Sequence, residues 1–192
     1  MVRVAKNPTV ADGTYRKNYQ KARDRPNNIW FTPPSAVDFV YPYIQRYAKI
    51  WEPCCGQGHI VKYLEAKGHE VIGTDILMGE TYDFKTYAPA DDAYDVIVTN
   101  PPFEGKRQTL ERLYALGKPF AILMPTMALD SNPVRALIKD HGQWGIVMPN
   151  KTINYIPGDL KHETTPPKNS RSFFHSSWFC WKIPGVEGMI IL

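Results

Sequence analysis

Apolar and polar positions change period along the chain, and the changes mark out its elements. The first clear apolar set, Phe39, Val40, Tyr43, Ile44 and Tyr47, recurs at helical spacing. It follows Pro33-Pro34, with Ser35 placed as an N-cap and Asp38 three residues on, as in a capping box. A helix over 35–47 is therefore predicted. Pro42 lies inside it and predicts a kink or a shortened first turn. Short apolar runs then alternate with amphipathic ones. Residues 49–52 predict a strand, 53–58 a turn, 59–67 a helix ended by Gly68, 70–74 a strand and 94–99 a stronger one. Residues 105–116 predict an amphipathic helix stopped by Gly117, and 119–124 a strand. A helix capped by Ser131 or Asn132, with Pro133 at its start, runs to about 140. Residues 144–148, 152–156 and 173–183 predict three more strands.

Strands separated by single helices predict an α/β fold, a mostly parallel sheet covered on both faces. The last two strands have no helix between them, which predicts a C-terminal antiparallel hairpin at one edge. Its loop, 157–171, is long and polar for a compact domain, a kind that is often functional.

Length and composition narrow the class. The chain has 192 residues, 43% hydrophobic and 22% charged, as expected of one globular domain. No apolar run approaches the roughly 20 residues of a membrane helix, and no signal-peptide core follows the first charges. A soluble, cytoplasmic protein is expected. Of three cysteines, Cys54 and Cys55 are adjacent, which is neither a disulfide framework nor the spacing of a zinc pair. They read as small packing residues in a turn, in a reducing compartment, with no metal. Net charge is +4 but uneven. Residues 1–28 hold Arg3, Lys6, Arg16, Lys17, Lys21, Arg23 and Arg25 against Asp12 and Asp24, which leaves the remainder slightly acidic. Two readings stand for this basic arm: a segment lying along phosphates with counterion release, or a solvated tail.

Candidate chemistry lies at the strand ends. Trp51-Glu52-Pro53-Cys54-Cys55-Gly56-Gln57-Gly58 leaves one strand and enters a helix. Its glycines permit a tight turn and close approach of a ligand to the backbone. A dinucleotide fingerprint needs a third glycine where Val61 stands, so no pyrophosphate site is implied. Asp75 ends the next strand, 17 residues after Gly58, an offset at which a carboxylate can accept from ribose hydroxyls. Asp83-Phe84 pairs an acceptor for an amino group with a ring to pack on a base. The most specific signal is Asn100-Pro101-Pro102-Phe103, where a buried strand runs into two prolines. They lock their own φ and push Asn100 out of the helical region, giving a stiff turn at the carboxyl end of a central strand. That turn presents carbonyl oxygens. The Asn100 amide oxygen and the Pro101 carbonyl can both accept from one NH₂ group, and Phe103 offers a stacking face.

From about Trp30 onward the chain resembles the S-adenosylmethionine-dependent, amino-methylating DNA methyltransferases, particularly the small Dam-like N6-adenine enzymes of phages and prokaryotes. The resemblance implies a Rossmann-like class I methyltransferase fold with seven strands over 29–192, and S-adenosylmethionine as cofactor. In its terms Glu52, Pro53, Cys54, Gly56 and Gly58 cradle the methionine part of the cofactor. Asp75 holds the ribose, and Ile76 and Asp83-Phe84 meet the adenine. Phe31-Thr32-Pro33-Pro34 also touches the cofactor, and Asn100 to Phe103 is the catalytic loop. It implies DNA as partner, with the target adenine flipped out of the duplex. An aromatic on the base's other face is also implied, for which Tyr155 is the candidate, although a core tyrosine is an equal reading. Lys106, Arg107, Lys161, Lys168 and Arg171 are candidate nucleic-acid contacts. The chain departs from the larger relatives in lacking room after Phe103 for a separate target-recognition domain. Only loop 157–171 (with His162 among its cations) and the basic arm are spare, so short or relaxed sequence specificity is expected. RNA adenine or a protein glutamine presents the same planar NH₂, and a nucleic-acid-binding protein that keeps the fold without activity is the reading from another class.

Overall fold

The computed structural model describes residues 30–158, 165–167, 172 and 174–192. The basic arm, Lys161, His162, Lys168 and Arg171 lie outside the described residues, so the expectations placed on them rest on sequence alone.

The described strands are β1 (Trp30–Phe31), β2 (Lys49–Glu52), β3 (Glu70–Gly73), β4 (Val96–Thr99), β5 (Phe120–Pro125), β6 (Trp144–Met148), β7 (Ile156–Pro157), β8 (Ser176–Trp181) and β9 (Gly188–Ile191). The helices are α1 (Tyr41–Ile44), α2 (His59–Ala66), α3 (Lys106–Leu116) and α4 (Asn132–His141). Seven strands form one sheet in the order β3-β2-β4-β5-β8-β6-β9. Only β8 runs against its neighbours, so the sheet is mostly parallel, as expected.

Side chains alternate between two cores because successive strand residues point to opposite faces. Ala121 and Leu123 of β5, with Trp178 and Cys180 of β8, join the core that holds Ile60, Val61 and Leu64 of α2. Phe120, Ile122 and Met124, with Phe179 and Trp181, join the other, with Leu110 and Leu113 of α3 and Val134 and Ile138 of α4. Helices thus cover both faces. Among the described residues no helix is long and apolar enough to cross a membrane.

Four expectations need correction. The last long strand, β8, is not at an edge but lies between β5 and β6, antiparallel to both. All six of its residues are buried, which an interior position requires. The edge is instead β9, parallel to β6. The strand expected over 152–156 shrinks to β7, which leaves the main sheet and pairs antiparallel with β1. The helix expected over 35–47 is a 3-10 turn, Pro34–Ala36, followed by the single turn of α1, with Pro42 in that turn. Ser35 lies inside the 3-10 turn and caps nothing; Pro33 holds the cap position. Pro42 has no N–H to give the Asp38 carbonyl and its ring crowds that oxygen, so the ladder is interrupted there.

Trp178 fastens this irregular segment to the sheet. It is fully buried, and its indole N–H donates to the Ala36 carbonyl at 2.8 Å. The approach from residue 33 to α1 therefore rests on the sheet's centre, which fixes where Trp30 to Thr32 enter.

Candidate active site

The carboxyl ends of β2, β3 and β4 meet on one side of the sheet, where open α/β folds place their ligands. Beyond β2 the chain turns tightly. The Gly58 N–H donates to the Cys55 carbonyl at 2.7 Å, and the Cys55 N–H to the Thr74 carbonyl at 2.9 Å. Gly56 has φ +50°, and a Cβ there would sit 3.2 Å from the Phe31 ring, so a glycine lets β1 close against the turn. Cys54 and Cys55 are free thiols whose pKa burial pushes well above the ordinary value, which suits packing rather than reactivity.

Asp75, just after β3, laces the turn to the next strand end. Its two carboxylate oxygens accept from Gly56 N–H at 2.8 Å and Leu77 N–H at 2.9 Å. Burial raises its pKa, and these two N–H donors act against that rise. Each oxygen keeps a lone pair for a further donor.

Glu52 sits beneath the turn, fully buried. Its Oε1 accepts from the Thr99 hydroxyl at 2.6 Å and the Cys54 N–H at 3.2 Å, whereas Oε2 has no partner among the described residues. Burial outweighs those bonds and pushes its pKa up to about 8. The folded state therefore holds a proton that the unfolded chain releases near its ordinary value. Its contribution to stability is fullest below that value, falls as pH rises towards 8, and is level above. The expected slope is about 1.4 kcal/mol per pH unit in that window. Glu52→Gln should make the profile shallower and the variant more stable than the parent at pH 8. Urea unfolding from pH 5 to 8 measures this; parallel curves for the two proteins would refute the buried neutral acid.

The catalytic candidate, Asn100, follows β4. Its Nδ2 donates to Thr32 Oγ1 at 2.8 Å. Its Oδ1 is closed to solvent and has no hydrogen-bond partner among the described residues. An acceptor left this way costs roughly 1–3 kcal/mol, and an N–H reaches it only when the side chain or its cover shifts. Pro101, Pro102 and Phe103 continue the loop. Phe103 packs edge-on against Tyr155 and Phe174, with ring centres 5.5 and 5.3 Å away, and its carbonyl accepts from Lys106 Nζ at 2.8 Å.

These pieces surround one cavity with about 830 Å³ of open space. One wall is Asn100 to Phe103, another Cys54, Cys55 and Gly56, a third Asp75 to Leu77, and a fourth Trp30 to Thr32. His59 and Ile60 of α2 complete it. Ile76 is half exposed there, as a residue waiting to be covered would be.

Other candidates lie elsewhere. Pro33, Pro53 and Gly58 shape the backbone behind the wall without lining it. Asp83 accepts from the Lys85 N–H, and Phe84 is buried against Trp51 in the second core. Neither borders the cavity. Tyr155 is buried, and its hydroxyl donates to Ser176 Oγ at 2.7 Å, so it braces Phe103 from the core side. Arg107 is exposed and paired with Glu111, and Lys106 serves the loop's backbone. Trp30, Cys55, His59, Ile60 and Leu77 join the wall without having been singled out. Trp30 and Cys55 adjoin residues that were, and His59 directly follows Gly58.

No protein-family model matches the chain, and no curated protein matches it. Its fold does match solved structures. A modification subunit of a putative type I restriction enzyme from Vibrio vulnificus is 14% identical with a TM-score of 0.52, the match covering 86% of this chain and 47% of that one. A putative class I S-adenosylmethionine-dependent methyltransferase from Listeria monocytogenes is 14% identical with a TM-score of 0.52, covering 96% and 75%. A putative RNA methyltransferase from Pyrococcus horikoshii is 14% identical with a TM-score of 0.51, covering 78% and 83%. The chain thus spans about half the length of the restriction-enzyme subunit. The α/β architecture with its mostly parallel sheet is the class I methyltransferase fold.

Proposed function

We propose that this chain uses S-adenosylmethionine to methylate the exocyclic N6 amino group of adenine in DNA. The observation that carries the reading is the unpartnered Asn100 Oδ1, set in a proline-stiffened loop on the wall of a cavity that also holds Asp75 and the glycine turn. The cavity fits that cofactor. Asp75 has lone pairs left for ribose hydroxyls, the backbone about Gly56 admits close approach, and Ile76 offers an apolar face. When bound, the cofactor supplies an electrophilic methyl on a sulfonium.

The rest is positioning by this chain. An adenine amino group is a poor nucleophile because its lone pair is drawn into the ring. Accepting its two hydrogens at Asn100 Oδ1 and the Pro101 carbonyl returns electron density to the nitrogen and fixes its direction. Phe103 stacks on the base, and Tyr155 and Phe174 keep that ring from turning away. No strong base is required, since the amino proton becomes acidic once nitrogen is alkylated. In a duplex the base must leave the stack, at a cost of a few kcal/mol that stacking and phosphate contacts offset.

The test is direct. The protein is incubated with cofactor labelled in its methyl group and with DNA, RNA and protein acceptors separately. The DNA is then digested to nucleosides. Label in N6-methyldeoxyadenosine is the expected result. Label confined to RNA or protein moves the substrate, and failure to take up the cofactor removes the reading altogether. Asp75→Ala is expected to weaken S-adenosylhomocysteine binding by roughly 10- to 100-fold, the worth of hydrogen bonds to a charged group. The chemical step at saturating cofactor should change less. Calorimetry decides; undiminished affinity would deny Asp75 the ribose.

A further inference from the structure

We infer that Thr32 is a positioning residue for Asn100: its hydroxyl holds the side-chain amide in place at the cavity wall. The inference rests on the reading of Asn100 given above and deepens it. The contact is specific in kind. Asn100 Nδ2 donates to Thr32 Oγ1 at 2.8 Å, between residues 68 apart in sequence. The bond uses one of the two Nδ2 hydrogens and is the one bond found for the Asn100 side chain among the described residues, so the placement of the amide rests on Thr32.

Thr32 is able to hold this position because its neighbours are immobilised. It is buried, 5% exposed. On one side Phe31 pairs with Ile156 across the β1–β7 ribbon and presses its ring against Gly56. On the other side Pro33 has φ −66° and starts the 3-10 turn that Trp178 anchors at Ala36. The hydroxyl is therefore set by four separate parts of the chain, and it sets the amide in turn. A threonine serving only the cofactor would not need its oxygen spent on Asn100.

Thr32→Val keeps the shape and removes the acceptor; Thr32→Ser restores the acceptor. With the purified full chain, Thr32→Val is expected to lower kcat on the order of 10²-fold, the scale of a misdirected reacting group. Its KM for DNA should change little, S-adenosylhomocysteine affinity by calorimetry should stay the same, and Thr32→Ser should recover most of kcat. Loss of cofactor affinity with unchanged kcat at saturation would overturn the inference and leave Thr32 as a cofactor ligand. A fully active Thr32→Val would also overturn it. A second readout does not depend on turnover. The Asn100 side-chain amide resonances, assigned by their disappearance in Asn100→Asp, should show slow solvent exchange in the parent and Thr32→Ser, and fast exchange in Thr32→Val. Equal exchange in all three overturns the inference. If the parent methylates nothing, the reading of the site fails, while the amide resonances still decide the hydrogen bond.

Discussion

Asn100→Ala is expected to abolish methyl transfer while leaving the fold and cofactor uptake in place. The side chain's one buried oxygen has no other partner among the described residues, and its nitrogen meets only the Thr32 hydroxyl among the bonds described. Removing it takes away the acceptor proposed for the reacting nitrogen, and Asn100 belongs to neither core. The loss should reach about 10²- to 10³-fold in the single-turnover rate, since a preorganised polar contact of this kind is worth that much at the transition state. Asn100→Asp is the control. A carboxylate offers oxygens at the same place, so partial activity should survive. Binding of S-adenosylhomocysteine to Asn100→Ala, measured by calorimetry, should match the parent. Turnover within a few-fold of the parent would show that the chemistry happens elsewhere.

The largest effect on stability is expected at a residue far from that chemistry. Gly145 lies inside β6, and a Cβ built there would come within 2.3 Å of the Val186 carbonyl oxygen and 2.7 Å of its carbon. Both obstacles are backbone, so no rotamer change relieves the overlap. The turn before β9 carries the buried Ile183 and Val186, and it would have to lift as a unit. Gly145→Ala should therefore cost about 3 kcal/mol or more, at or above the upper end of ordinary overpacking. For a chain of this size that lowers Tm by on the order of 10 °C. Thermal unfolding followed by circular dichroism measures it, and a shift below about 2 °C would mean that the turn yields freely.

The parts of the molecule legible in sequence are those whose cause is local. The run from Val96 into Asn100-Pro101-Pro102-Phe103 is a buried strand stopped by prolines, and it stands in the structure as one. Gly117 ends α3 in a left-handed conformation, as a glycine at that position suggests. The glycine turn and Asp75 are separate signals in sequence, and the hydrogen bond from Gly56 N–H joins them in the structure. What escaped depends on partners distant in the chain. β1 and β7 are two residues each, too short for any periodicity, and exist only because they pair. β9 is a glycine and three apolar residues with mostly exposed side chains, so no alternation betrays it. β8 was recognised as a strand but misplaced. The run Ser176-Ser177-Trp178-Phe179-Cys180-Trp181 has large apolar groups for both faces, and a strand of that kind belongs inside a sheet. Phe84 and Tyr155 show the limit for single residues. An aromatic beside a site can face the ligand or the core, and tertiary packing turned both inward.

The ribbon of β1 and β7 has a consequence for biosynthesis. The cavity's wall at Trp30 to Thr32 leaves the ribosome before its pairing partner, Ile156–Pro157, which emerges only after β2 to β6 have been synthesised. At roughly 5–20 residues per second that is a wait of several seconds or more. During it the amide of Asn100 has no fixed neighbour and the glycine turn has no lid. β8, which joins β6 to the rest of the sheet and carries the Trp178 anchor, emerges later still, so scaffold and pocket are completed together and competence to bind arrives as one of the last events of folding.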